Sequence, residues 1–101
     1  MCSFLVSPKI LKRPKTVEYG YRGYNKTLAI EVFAFPRASF QWRKNGKSMG
    51  RRNVANLTLT NVRYEDSGFY EVTAKNDLGQ VRVAVILVVK DAGWSLLLLF
   101  L

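Results

Sequence analysis

The residues with chemistry to offer are cations, tyrosines and asparagines. No histidine occurs in the chain, and the single cysteine is Cys2. A zinc site therefore has no ligand cluster. No glycine-rich phosphate loop or nucleophile elbow is present, and no two carboxylates are placed as an acid/base pair. These features argue against an enzyme, and neither a cofactor nor a metal is expected. Three kinds of side chain stand out instead. Asp66, Gly68 and Tyr70 fall at every second position, which places a carboxylate and a phenol on one face of an extended segment. Asn25-Lys26-Thr27 and Asn56-Leu57-Thr58 are acceptor triplets for N-linked glycan. Lys44, Lys47, Arg51 and Arg52 crowd around one turn, in a chain whose 16 Lys and Arg outnumber its 7 Asp and Glu for a net charge of +9. Such a cluster would attract a polyanion such as heparan sulfate. It also fits the solubilising charge that exposed edge strands carry against unwanted pairing.

The elements that must position these groups read as strands. Leu28, Ile30, Val32 and Ala34 alternate with Ala29, Glu31 and Phe33, predicting one strand with an apolar inner face. Phe40 and Trp42 alternate with Gln41 and Arg43, predicting a second. Asn45-Gly46 is a two-residue hairpin signal. About ten residues then remain before Leu57, room for a short strand near Ser48-Met49 and at most one more. Leu57, Leu59 and Val62 lead into the Asp66–Tyr70 segment, which Val72 and Ala74 continue. Val81, Val83, Val85, Leu87 and Val89 share one face of a long last strand. Near the start, Lys9–Leu11 and Thr16–Glu18 are expected as short strands flanked by Pro8 and Pro14. Tyr19–Asn25, with Gly20 and Gly23, reads as a tyrosine-rich turn with rings available for contact.

The Asp-x-Gly-x-Tyr run, with Trp42 and Trp42-Arg-Lys-Asn-Gly-Lys47, resembles the immunoglobulin superfamily, specifically an intermediate-set (I-set) domain over about residues 8 to 90. The resemblance implies an all-β immunoglobulin-like sandwich of two antiparallel sheets. It also implies a tyrosine corner, in which the Tyr70 hydroxyl bonds back to upstream backbone. Family spacing puts Ile30 and Val72 where such domains hold the two cysteines that pack on the strand C Trp. No disulfide is expected, and two β-branched aliphatics stand in its place. A bridge closing a loop of this size contributes roughly 4 kcal/mol, and burying Ile or Val about 1.5–3 kcal/mol each, so packing offsets most of the loss. The structural core is expected to include Ile30, Trp42, Leu59, Asp66, Tyr70 and Val72.

Three segments follow: a lead-in over 1–7, the domain over 8–90, and an apolar tail over 91–101 read as a truncated or read-through end. The lead-in lacks a secretory pattern. The tail is shorter than the about 20 residues a membrane span requires, so no span is expected within the chain. Disulfide-free domains of this kind occur in receptor ectodomains and in intracellular filament proteins. The two glycan triplets favour a protein-binding or spacer module of a cell-surface adhesion or receptor-type protein. The alternatives are an intracellular muscle or cytoskeletal module and a polyanion binder. Expected partners are proteins, other immunoglobulin domains among them, and heparan sulfate; nucleic acid is not expected. In related receptors an Arg in the stretch matching Leu59–Gly68 pairs across a homotypic contact. Asn61 occupies that position here, with Arg63 and Glu65 the nearest substitutes.

Overall fold

The computed structural model describes residues 5–50 and 52–91. Within these residues nine strands form two layers. They are β1 (Val6–Lys12), β2 (Val17–Tyr21), β3 (Lys26–Ala29), β4 (Glu31–Phe35), β5 (Ser39–Lys44), β6 (Lys47–Ser48), β7 (Asn56–Leu59), β8 (Gly68–Asn76) and β9 (Gly79–Lys90), with a single 3₁₀ turn at Tyr64–Asp66 before β8. One layer is a five-stranded sheet in the order β2-β9-β8-β5-β6. Its ladders are antiparallel except β2 with β9, which is parallel. The other layer consists of the ladders β1–β4 and β3–β7. The result is an all-β immunoglobulin-like sandwich.

Alternation explains the core. Trp42, Tyr70, Val72, Val83, Val85 and Leu87 face inward from the five-stranded sheet, against Leu28, Ile30, Leu57 and Val62 of the opposite layer. Trp42 is fully buried, and its indole N–H donates to the Val54 carbonyl at 2.7 Å, so its one polar atom enters the core satisfied. Val72 lies directly across the β5–β8 ladder from Trp42. Ile30 belongs to the same buried cluster. Leu59 is half-buried and packs against that cluster.

Three elements differ from the expected ones, each through a distant partner. The strand expected as continuous through Leu28–Ala34 breaks at Ile30, whose N–H donates to the Ala55 carbonyl at 3.1 Å. On one side of that residue the chain pairs with β7, on the other with β1. The tyrosine-rich turn is half strand: Tyr19 and Tyr21 lie on β2 beside β9, and only Arg22–Asn25 turns. Gly20 faces inward there, where an added Cβ would sit 3.6 Å from the Leu87 side chain. Pro8 lies buried inside β1, which already begins at Val6. The register is irregular between Val6 and Lys9, and an irregular edge strand accommodates the missing N–H.

Candidate contact surfaces

The turn before β8 is built by its own polar groups. The Tyr70 hydroxyl donates to the Asp66 carbonyl at 2.6 Å. The Asp66 carboxylate accepts from the Arg63 N–H at 2.8 Å. Burial, then the nearby Asp66 charge, pushes the Tyr70 phenol up to about 12. This phenol is buried, and its hydroxyl is spent on the turn's own backbone. Asn61, two residues before Arg63, adopts a left-handed φ of 50° and donates its N–H to Asn25 Oδ1 at 3.1 Å. It serves a turn.

The basic residues converge only in part. Lys44, Lys47 and Arg52, with Asn45, Ser48 and Met49, line a shallow depression of about 500 Å³. Arg51 lies outside the described residues. Arg43 and Arg63, which would extend the cluster if their segments faced that side, are not in its lining. The walls are fixed by bonds the sequence did not announce. Asn45 and Gly46 both take positive φ, 51° and 82°, which the β5–β6 turn requires. Asn45 Oδ1 accepts from the Phe69 N–H at 2.9 Å, and its own N–H donates to the Phe69 carbonyl at 2.7 Å. Across the depression, Asn53 Oδ1 accepts from the Phe40 N–H at 2.6 Å, anchoring the loop that carries Arg52. The Lys44 ammonium donates to the Glu65 carbonyl and lies 5.8 Å from the centre of the Tyr70 ring. Lys47 and Arg52 are exposed.

Both glycan triplets are on the surface. Asn25 and Asn56 are exposed, and their threonines meet across the β3–β7 ladder, Thr27 Oγ1 to Thr58 Oγ1 at 3.1 Å.

A further surface emerges from register rather than from any motif. On the outer face of the five-stranded sheet, Val17, Ile86 and Phe69 form one row across β2, β9 and β8. Tyr19 and Tyr21 continue it along β2. All five are exposed, Phe69 by 45% and the two tyrosines by 47% each. The Lys90 ammonium stands 4.4 Å from the centre of the Tyr19 ring, within cation–π range. At the adjoining end, Tyr64 bonds Asp91, Arg22 lies 5.3 Å over the Tyr64 ring, and the Asp91 carboxylate stands 3.6 Å from Arg22 Nε. That bond to Asp91 raises the Tyr64 phenol. The period-two pattern of Val17, Tyr19 and Tyr21 was the available signal, masked by the two glycines.

Among the described residues no group of His, Cys, Asp and Glu is arranged to hold a metal, and no helix is long and apolar enough to cross a membrane. Comparison with known proteins matches residues 7–76 to a family model described as an immunoglobulin domain. Neural cell adhesion molecule 1 of Mus musculus is 31% identical over 103 residues, covering 91% of this chain and 9% of that protein. The chain thus spans about a tenth of the length of such relatives. Among solved structures, Sidekick-1 immunoglobulin domains 1-5 superpose with a TM-score of 0.79 at 20% identity, over 88% of this chain and 21% of that one. A chimeric titin Z1Z2 gives 0.76 at 22% identity, over 88% and 99%. At these identities the two structures share the fold.

Proposed function

The chain belongs to the immunoglobulin domain family, and from that premise we propose that it is a protein-contact module of a larger, cell-surface adhesion or receptor-type protein. The observation that carries this reading is the exposed row Val17–Ile86–Phe69 with Tyr19 and Tyr21 beside it. Contiguous exposed apolar area on a folded domain marks an interaction site, and tyrosine supplies contact area at low entropic cost. Likeness to neural cell adhesion molecule 1 supports the adhesion setting. The chemistry is recognition without catalysis. Packing of Ile30 and Val72 beside Trp42 makes the sandwich independent of redox compartment, so exposed Asn25 and Asn56 become the deciding groups. We read them as glycan-bearing.

The test has two parts. The chain is secreted from glycosylating cells and treated with an N-glycosidase; a mass loss that Asn25→Gln and Asn56→Gln abolish is expected, and shows that both acceptors carry glycan when the chain meets the glycosylating machinery. Beads coated with the protein are then scored for clustering with each other and for adhesion to cells. Ile86→Lys with Tyr19→Ser is expected to abolish adhesion, while Leu11→Lys on the opposite sheet leaves it intact. Equal loss from both variants, or no adhesion by the wild type, defeats the reading.

A further inference from the structure

The depression beside β6 has a chemistry that the protein-contact reading does not use. Its lining presents three cationic side chains, Lys44, Lys47 and Arg52, and neither Asp nor Glu. Among the described residues, no carboxylate lies within ion-pair distance of any of the three. The remaining lining is polar at Asn45 and Ser48 and apolar at Met49, which packs on the core. We propose that this depression is a binding site for a linear sulfated polysaccharide.

Four features specify that ligand. Spaced cations without intervening carboxylates match a polymer of repeated anionic groups. The depression is shallow and borders β6, the last strand of its sheet, so a long chain can run past without its ends being threaded. Amide and hydroxyl groups at Asn45 and Ser48 suit sugar hydroxyls, which an acyl-chain surface lacks. The backbone holding two of the cations is fixed by a hairpin, and the residue after the third is anchored. Lys44 and Lys47 face each other across the β5–β6 hairpin, and Asn45 ties its turn to Phe69. The Gly50 N–H donates to Ser48 Oγ at 3.2 Å, and Ser48 Oγ also accepts from Gln41 Nε2 at 2.8 Å. Asn53 pins the other wall. Such preorganisation lowers the ordering cost of binding. The exposed asparagines of the glycan triplets lie with the β3–β7 ladder of the opposite layer, so glycans there would leave this edge open.

The roles within the site divide. Lys44 is a positioning group as well as a cation, because its ammonium also bonds the Glu65 carbonyl. The Lys47 and Arg52 side chains make no hydrogen bond among the described residues and are exposed, so they are the ones to replace.

The experiment uses a heparin-derived dodecasaccharide, titrated into the intact protein at several salt concentrations. Lys47→Ser with Arg52→Ser is compared with Lys9→Ser and Arg82→Ser, which removes the same charge elsewhere. The site variant is expected to bind about tenfold more weakly, with a salt slope shallower by about two; the control variant should lose less than about threefold. Backbone amide shifts in the wild type should concentrate on residues 44–53. Equal losses in the two variants would show that net charge alone does the binding and overturn the proposal. So would shifts spread over both sheets. Phosphatidylserine vesicles and single-stranded DNA are run in parallel, and equal affinity for either, lost through the same two substitutions, would likewise overturn recognition of a sulfated glycan.

Discussion

Replacing Tyr70 by Phe tests whether one hydroxyl holds the turn before β8. The ring is 1% exposed and the hydroxyl sits 2.6 Å from the Asp66 carbonyl. Phe keeps the ring and its packing, so the change removes one bond and leaves one acceptor without its donor. A hydrogen bond of this kind contributes about 0.5–1.5 kcal/mol net, and an acceptor left dry costs about 1–3 kcal/mol. Asp66 is only half-buried, so water can reach its carbonyl, and about 1 kcal/mol is expected. In a domain of this size that lowers Tm by about 4–8 °C. Urea unfolding should show a lower midpoint with the slope unchanged.

The same variant carries a pH signature with a definite sign. The phenol titrates near 12 in the folded protein, against about 10 in an unfolded chain. Its folded value is raised, so its contribution is complete below about pH 10 and disappears as pH climbs through 12. Phe has no such proton. A shift of about two units is worth more than the about 1 kcal/mol gap, so the gap between wild type and variant is constant below pH 10, narrows above it and changes sign before 12. Every other group is common to the two proteins. A variant as stable as the wild type at neutral pH, or a gap of constant size through pH 12, would refute the role given to Tyr70.

Three further outcomes follow from the packing. Val72→Ala, at a site 1% exposed opposite Trp42, should destabilise by about 1–3 kcal/mol through lost burial and the cavity left behind, measured by the urea midpoint. Asn45→Ala removes the Phe69 anchor and places a residue less suited to a left-handed φ in the β5–β6 turn; about 1–2 kcal/mol should be lost, with amide exchange quickening at Phe69 and Lys44. Glu18 is held below the ordinary carboxylate range chiefly by its hydrogen bond from Lys26, at 2.8 Å. Its contribution is present above the unfolded value near 4.5 and is lost as pH falls through the lowered folded value, so Glu18→Gln should lower stability above that value and change little at low pH, flattening the acid limb of the stability profile.

The sandwich was legible because its signals are local. Alternation at Phe40–Arg43, at Leu57–Leu59 and through Val81–Val89 needs only the neighbouring residues, and Asn45-Gly46 specifies its own turn. What escaped was set by residues far along the chain. Ile30 breaks a strand because the pairing partner changes from β7 to β1. Gly20 suggested a turn, yet β9 holds it in a parallel ladder. Of the contact surfaces, the cations around Asn45 were visible as a cluster, but only the fold shows that Arg52 joins Lys44 and Lys47 while Arg43 and Arg63 do not. The Val17–Ile86–Phe69 row had no sequence signature, because its members come from three strands and depend on register.

Side-chain bonds to backbone explain how a sandwich without a bridge keeps its loops in place. Asn53 fixes the loop before β7 to Phe40. Asn76, buried, donates to the carbonyls of Val6 and Pro36 at 2.8 and 2.9 Å and accepts from the Leu78 N–H at 2.9 Å, joining the start of β1, the β4–β5 turn and the β8–β9 turn. Ser67 Oγ accepts from the Val89 N–H at 2.9 Å. Each is a short polar side chain that completes a backbone group the ladders leave over. Each acts in the folded state, whereas a disulfide acts largely by restricting the unfolded one. The aliphatic pair at Ile30 and Val72 can therefore supply the core while these clamps supply local rigidity. Rigid loops are also what the contact surfaces require, since Lys47, Arg52 and the β2 tyrosines project from backbone held by ladders or by such bonds. Loss of one clamp should thus loosen recognition before it unfolds the core.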